Sequence, residues 1–296
     1  MAKSSLKKRF RRFRESVLGP LLLNRKFWAR PIYTELGRRD AKIIVNGSDH
    51  RIVVDPGDRV IGQAILRKGV WGRVEQDAVI AFLAARGLAC GVFVDVGANI
   101  GSQTLYAMLS GKFDRAVAIE PFTANGDLFE MTMRLNDLSD RVSIVRAAAG
   151  AQAGTATLYT DAWNSGGHSL KPIRSGPEVA DISVVTVDQA LADHNCRTHD
   201  VGLVWIDVEG AEVDVLEGMP DLLSARPALM VEYTPAFHDP LARQRFVAQV
   251  RTYYDRIYTV DAVAARGMDA EPLADDALDD LDTQTDLLCL ADARSK

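Results

Sequence analysis

The sequence predicts an α/β protein built on a doubly wound sheet, on the strength of three observations. Short apolar runs alternate with amphipathic stretches of helical length along most of the chain, the pattern of βαβ units. The run Val92-Phe93-Val94-Asp95-Val96 stops at Gly97-Ala98-Asn99-Ile100-Gly101, which reads as a buried strand handed by a glycine turn to a helix. A second run, Ala116 to Ile119, ends in Glu120, nineteen positions after Gly101. A carboxylate at the tip of the neighbouring strand, at about that distance, is where doubly wound sheets grip a ribose diol.

Taken in order, the chain begins with a basic arm. Lys3, Lys7, Lys8, Arg9, Arg11, Arg12 and Arg14 follow one another without an acid, and Leu6, Phe10, Phe13 and Val17 fall at spacings of four, three and four. Such an apolar stripe on a basic helix either seats a protein on an anionic membrane or a polyanionic glycan precursor, or is an untied or partner-docking arm. Ile43 to Val45, Asn46-Gly47 and Ile52 to Val54 predict a small hairpin, and Asp55-Pro56-Gly57-Asp58 a turn. A domain boundary is expected there, with arm and hairpin in residues 1–58 and the main domain in 59–296.

Inside the main domain a short helix is expected over 59–69 and a longer one over 72–86. After the first strand come a helix to Leu109, the second strand, a helix over 123–135 and a third strand over 142–145 that runs into Arg146-Ala147-Ala148-Ala149-Gly150. Right-handed crossovers carry these strand ends to one edge, so Asp95, Glu120 and segment 146–149 converge on one pocket. Strands over 155–159 and 182–185 bracket the polar, glycine-rich Asn164-Ser165-Gly166-Gly167-His168-Ser169, an excursion long enough to be functional or floppy. Thr186-Val187-Asp188-Gln189 has the form of a capping box. Strand 203–207 ends in Asp207, and Glu209-Gly210-Ala211-Glu212 leads into the next helix. Strands 228–233, 257–260 and 286–290, with a helix over 243–254, complete seven strands. Segment 269–286, with eight acids and no base, reads as a solvated connection.

Composition narrows the class. A chain of 296 residues that is 47% hydrophobic and 25% charged, with net charge −5, can bury a sizeable core and resembles an ordinary globular protein. Cys90, Cys196 and Cys289 lie far apart, as free thiols of a reducing compartment do, and no zinc-ligand spacing occurs. No apolar run reaches the length of a membrane span, and Gly19 and Pro20 interrupt the one segment with a signal-peptide look. The expected location is cytoplasmic, with membrane contact only through the basic arm.

A dinucleotide fingerprint counted from Gly97 needs glycine at position 99, where this chain has Asn99, so the pyrophosphate pocket is spoiled. Asp95 beside the turn suits instead a ligand without phosphate and with a positive centre, as S-adenosylmethionine has. On three blocks, 95–101, Glu120-Pro121 and Trp205 to Glu212, the chain resembles the FkbM-type methyltransferases, a branch of the class I S-adenosylmethionine-dependent enzymes, over roughly residues 60–260. The resemblance implies a Rossmann-like class I methyltransferase sheet of seven strands, the last antiparallel, with an N-terminal extension and an inserted β-hairpin whose loop leans over the site. It implies S-adenosyl-L-methionine as cofactor, held by Asp95, Gly97, Asn99, Gly101, Glu120 and Pro121, with Ala147 from the converging segment. Glu75, with Trp71 ahead of it, meets the cofactor's amino group or the acceptor, or is a solvated first-turn acid.

By the same resemblance Asp207 is expected to face the transferred methyl, with Glu209 and Glu212 either orienting it or favouring the N-terminus of the following helix through its dipole. The general base is Asp207 or His168; in a third arrangement Asp207 with Glu209, Glu212 or Glu232 holds a divalent cation such as magnesium. The implied acceptor is a hydroxyl of a saccharide, glycolipid or polyketide-like small molecule. A nicotinamide-dependent oxidoreductase and a catalytically idle binding scaffold are the alternatives. Nucleic acid is an unfavoured partner, because the core is acidic and Asp207 is followed by Val208-Glu209, not the Pro-Pro-aromatic of base methylation.

Overall fold

The computed structural model describes residues 25–161, 164–171, 178–274 and 276–292. The basic stripe expected over residues 5–18 lies outside them. Helix α1 (Arg25–Arg38) precedes the hairpin β1 (Ile43–Asn46) and β2 (Arg51–Val54), and α2 (Ile61–Lys68) and α3 (Arg73–Ala84) lead to the sheet. Then follow β3 (Val92–Val96), α4 (Ser102–Leu109), β4 (Arg115–Ile119), α5 (Thr123–Leu135) and β5 (Val142–Val145). Strands β6 (Ala148–Ala149), β7 (Gly154–Tyr159) and β8 (Glu178–Val185) make a small separate sheet. The chain returns through α6 (Val187–Asp193), β9 (Val201–Ile206), α7 (Glu212–Glu217), α8 (Pro220–Ala225), β10 (Ala228–Tyr233), α9 (Pro240–Tyr253), β11 (Arg256–Thr259), α10 (Val260–Arg266) and β12 (Thr285–Leu290).

The seven-stranded sheet has the order β11-β12-β10-β9-β3-β4-β5. Its members are parallel except β12, which runs antiparallel to both β10 and β11, as expected for the last strand. Every residue of β3 and β9 is buried, the signature of central strands covered on both faces. Alternate side chains supply two cores: Phe93, Leu203, Trp205 and Met230 pack under α3, α4 and α5, while Val94, Val204, Leu229 and Val231 pack under α6 to α9. The chain builds outward from β3 to β5 and then crosses back to β9 on the other side of β3. The carboxyl ends of β3 and β9 therefore flank a switch point, where open α/β sheets bind ligands.

The hairpin is part of this body. Ile52, Val53 and Val54 lie in the main core, Val53 N–H donates to Thr132 Oγ1 (3.0 Å) and Arg51 N–H to Asn136 Oδ1 (2.9 Å), both on or just after α5. The expected capping box is half present. Thr186 Oγ1 accepts from Gln189 N–H at 3.1 Å, but the Gln189 side chain runs forward to Asp193 (2.6 Å) and never returns to the cap. Asp188 instead accepts the N–H groups of Asp221 and Leu222 (2.8 and 3.1 Å), capping α8 from a neighbouring element. Helices α1, α8 and α10 were not anticipated: α8 has six residues, too few to display a period, and α10 starts where β11 ends, with Thr259 as its cap. Cys196 and Cys289 are buried, Cys90 is exposed, and all three are free. Among the described residues no helix is long and apolar enough to cross a membrane.

Candidate active site

At the carboxyl end of β3 the chain turns through three residues of positive φ, Gly97 (+85°), Asn99 (+52°) and Gly101 (+80°). A Cβ at Gly97 would lie 1.8 Å from the Asp207 carbonyl oxygen, and one at Gly101 would lie 2.1 Å from the Phe129 ring. These glycines are thus demanded by the adjoining strand and helix, and only then by any ligand. Asn99 tolerates the left-handed region because its Oδ1 accepts the next backbone N–H, that of Ile100 (2.7 Å).

Glu120 stands at the tip of β4, 5% exposed. Its Oε2 accepts Asn99 N–H (2.8 Å), and its Oε1 accepts Phe122 N–H (2.9 Å) and Asn125 Nδ2 (3.3 Å). Burial pushes its pKa up to about 7, the backbone donors pulling the other way. Gly97, Asn99, Glu120, Pro121, His168 and Asp207 line the cleft in front of it, and the loop residues Ser165 and Gly166 close it. That loop is tied down by Asn125 Nδ2 donating to Ser165 O (3.1 Å) and by the Ser165 hydroxyl donating to Asp58 (2.8 Å).

His168 packs edge-on against Phe122, ring centroids 4.5 Å apart. Its Nδ1 accepts the Asp161 backbone N–H at 3.0 Å, and burial lowers its pKa. A neutral imidazole has one proton, which then sits on Nε2. The residue presents a donor and has no free lone pair, so the expectation that His168 could serve as general base is corrected.

Asp207, just past the tip of β9, is shared by a second cleft of about 490 Å³, which Trp71, Glu75, Glu232, Asp261 and Asp286 also line. Asp207 lines both clefts and keeps an exposed face toward solvent. Burial, then Glu232, Glu209 and Asp286 in turn, hold its pKa well above the usual carboxylate range. Glu232 is raised to about 7 by burial and by Asp286, and Asp286 to about 6 by burial and by Asp261. Glu232 and Asp286 are direct partners in the antiparallel ladder of β10 and β12, which forces two like charges onto one face. Asp207, Glu209 and Glu232 can each present an oxygen such that all three lie within 4.8 Å of one another.

Gly97, Asn99, Glu120 and Pro121 meet in the first cleft as expected, and Glu75 faces the second. Three residues assigned to the cofactor do not line the cleft. Asp95 is 1% exposed, a layer behind the turn, where it accepts the Thr104 hydroxyl and burial raises its pKa to about 7. Gly101 is packed on Phe129, and Ala147 is buried beside Ala148 and Ala149, which line the cleft in its place. Glu212 turns away from the carboxylate cluster and pairs with His238 (2.7 Å). Asn125, Ser165 and Asp286 had no expected role. Asn125, in the first turn of the helix that follows Glu120, was a legible signal; Asp286 was shared by the acidic segment and the expected strand 286–290, and its place in β12 is what brings it to the second cleft.

Residues 95–256, more than half of the chain, match the Methyltransferase FkbM domain. The chain is similar to Methyltransferase 1 of Beauveria bassiana (strain ARSEF 2860), 27% identical over 146 residues that cover 43% of this chain and 58% of that protein. It is similar also to methyltransferase sdnD of Sordaria araneosa, 25% identical over 155 residues, 43% of this chain and 60% of that one. It thus spans about 60% of the length of the curated relatives it matches. A solved structure, Methyltransferase FkbM from Methylobacillus flagellatus KT, overlaps with TM-score 0.42 and 19% identity over 68% of this chain and 44% of that one. The matched region starts at Asp95 and takes in the glycine turn, Glu120, the loop and the block from Asp207 to Glu212, and by that match the chain belongs to the FkbM methyltransferase family.

Proposed function

We propose that the protein transfers a methyl group from S-adenosylmethionine to a hydroxyl oxygen of a saccharide, glycolipid or polyketide-like small molecule. One observation carries this reading: Asp207 is the common wall of two clefts, one framed by the glycine turn and Glu120, the other by Trp71 and carboxylates. The lining of the first cleft offers the polar groups that an adenosine-bearing cation would use. Glu120 Oε2 has a lone pair left beyond its bond to Asn99, suited to a ribose hydroxyl, and His168 Nε2 offers a donor. When bound, S-adenosylmethionine supplies an electrophilic methyl group on sulfur.

The second cleft fits a polyhydroxylated acceptor. Glu75, Glu232 and Asp286 accept hydrogen bonds from hydroxyls, and Trp71, 37% exposed, offers an apolar face. Holding the acceptor oxygen in line can contribute roughly 7–11 kcal/mol in ideal cases. Asp207, with its pKa held above the usual carboxylate range, takes the hydroxyl proton, a contribution of about 10²–10⁴-fold. Asp207, Glu209 and Glu232 form the oxygen donor set of a hard divalent cation such as magnesium, which when bound would lower the pKa of the hydroxyl.

The test is thermal unfolding with S-adenosylmethionine, S-adenosylhomocysteine or NAD, each at about a hundred times a plausible dissociation constant. Binding should add about 2.7 kcal/mol, a shift of a few degrees. A shift with the two adenosyl ligands in the wild type, lost in Glu120→Ala measured against its own baseline, supports the reading. A shift with NAD alone overturns it, and no shift with any ligand favours an idle scaffold.

A further inference from the structure

A buried acid–imidazole pair lies behind the turn that carries Glu209. Glu212 is 2% exposed and His238 7%, with Nε2 and Oε2 2.7 Å apart. The other oxygen of Glu212 accepts the Gly210 N–H at 2.8 Å. On its far side the His238 ring stacks on Tyr233, and Tyr233 stacks on Phe246 of α9 at 3.9 Å. A continuous support therefore runs from α9 through two aromatic rings and a carboxylate to one backbone amide.

That amide needs holding. Glu209 and Gly210 have φ of +48° and +96°, and for glutamate the left-handed region is unfavourable unless the surroundings impose it. With the turn so held, the Glu209 carboxylate lies within reach of Asp207 and Glu232. A buried acid–imidazole pair seldom stabilises a fold more than apolar residues of equal volume would, so its use here points to geometry.

The same two junctions receive the loop that closes the first cleft. The Ser169 hydroxyl donates to Glu209 O (2.8 Å), next to the amide held by Glu212, and Lys171 Nζ donates to Phe237 O (2.8 Å), next to His238. Between these latches lies a small cleft walled by Asn164, Gly167, Glu209 and Phe237.

We propose that Glu212 and His238 are positioning residues: they hold the 209–210 turn and the 237–238 junction as one rigid platform, which sets Glu209 beside Asp207 and receives Ser169 and Lys171 of the loop. What the platform serves rests on the methyl-transfer reading; the platform itself does not.

The experiment is amide hydrogen exchange on the ligand-free full chain, followed in peptides covering 164–171 and 206–211. His238→Phe keeps the ring that stacks on Tyr233 and deletes the N–H; His238→Gln restores a donor of similar reach. Exchange of both segments should rise about tenfold or more in His238→Phe and return to within about threefold of wild type in His238→Gln, whereas Lys171→Met should speed only 164–171. Wild-type exchange in His238→Phe, no rescue by His238→Gln, or an equal rise across the whole chain overturns the platform. If His238→Phe does not fold, His238→Asn, too short to reach Glu212, takes its place. S-adenosylhomocysteine titrated into the wild type keeps the two readings apart: absence of binding overturns the proposed function, while the exchange pattern alone decides the platform.

Discussion

At the ends of β3 and β4 each carboxylate faces donors, whereas around the ends of β9, β10 and β12 carboxylates gather against one another. Asp95 accepts the Thr104 hydroxyl, and Glu120 accepts two backbone amides and a side-chain amide. Asp207 is instead raised by burial and then by Glu232, Glu209 and Asp286, and Glu232 by burial and then by Asp286 and Glu209. Asp95 and Glu120 are buried, whereas Asp207 has an exposed face and Glu209, Glu232 and Asp286 are half-buried, yet the pKa values of both groups are raised. The first region has already satisfied its acids with protein and uses them to shape a turn. The second gathers like charges that a proton or a cation would relieve, and the proposed function draws on that arrangement.

The largest expected effect tests the seam between the two. Gly97→Ala places a Cβ on the Asp207 carbonyl at a positive φ, and should cost about 4 kcal/mol or abolish folding, read by urea unfolding. A loss under about 1 kcal/mol would mean that the regions slide past each other freely. The next test contrasts the regions directly. Glu120→Ala strands three donors and should destabilise the protein by about 2–4 kcal/mol. Asp207→Asn removes a repelling charge and should stabilise it by about 0.5 kcal/mol, a small gain because the open face of Asp207 is screened by solvent. Changes of the same sign in chemical denaturation would break the comparison.

The comparison also shows in the pH dependence. Folded Asp95 and Glu120 keep protons up to about pH 7, whereas the unfolded chain releases them near the ordinary values of 3.8 and 4.5. In that window the folded state binds more protons, so these groups make stability fall as pH rises, and the contribution levels off above about pH 7. The unfolding midpoint should therefore be a few degrees higher at pH 5.5 than at pH 8, with a shallower slope in Glu120→Gln. A slope unchanged by that substitution would assign the dependence to other groups.

Much of this was readable residue by residue. The strands at 142–145 and 228–233 and the helix at 123–135 fall where their apolar patterns end, because period and turn residues act within a few positions. Gly97, Asn99, Glu120 and Asp207 were legible for the same reason, each closing an apolar run at a strand tip. The role of Gly97 was not, since the atom that forbids a Cβ belongs to Asp207, more than a hundred residues on. Nor was the tautomer of His168: only its contact with the Asp161 amide shows on which nitrogen its proton sits.

The α/β order of elements, the carboxylates at strand tips and the family blocks are written along the chain, because backbone propensity and alternation are local. Tertiary structure alone decided which acids meet. The antiparallel return of β12 set Asp286 opposite Glu232, the depth of the β3 turn hid Asp95 while Glu120 faced the cleft, and packing against α9 turned Glu212 toward His238. Desolvation and charge pairing depend on distance in space, and in a doubly wound sheet the crossovers set that distance.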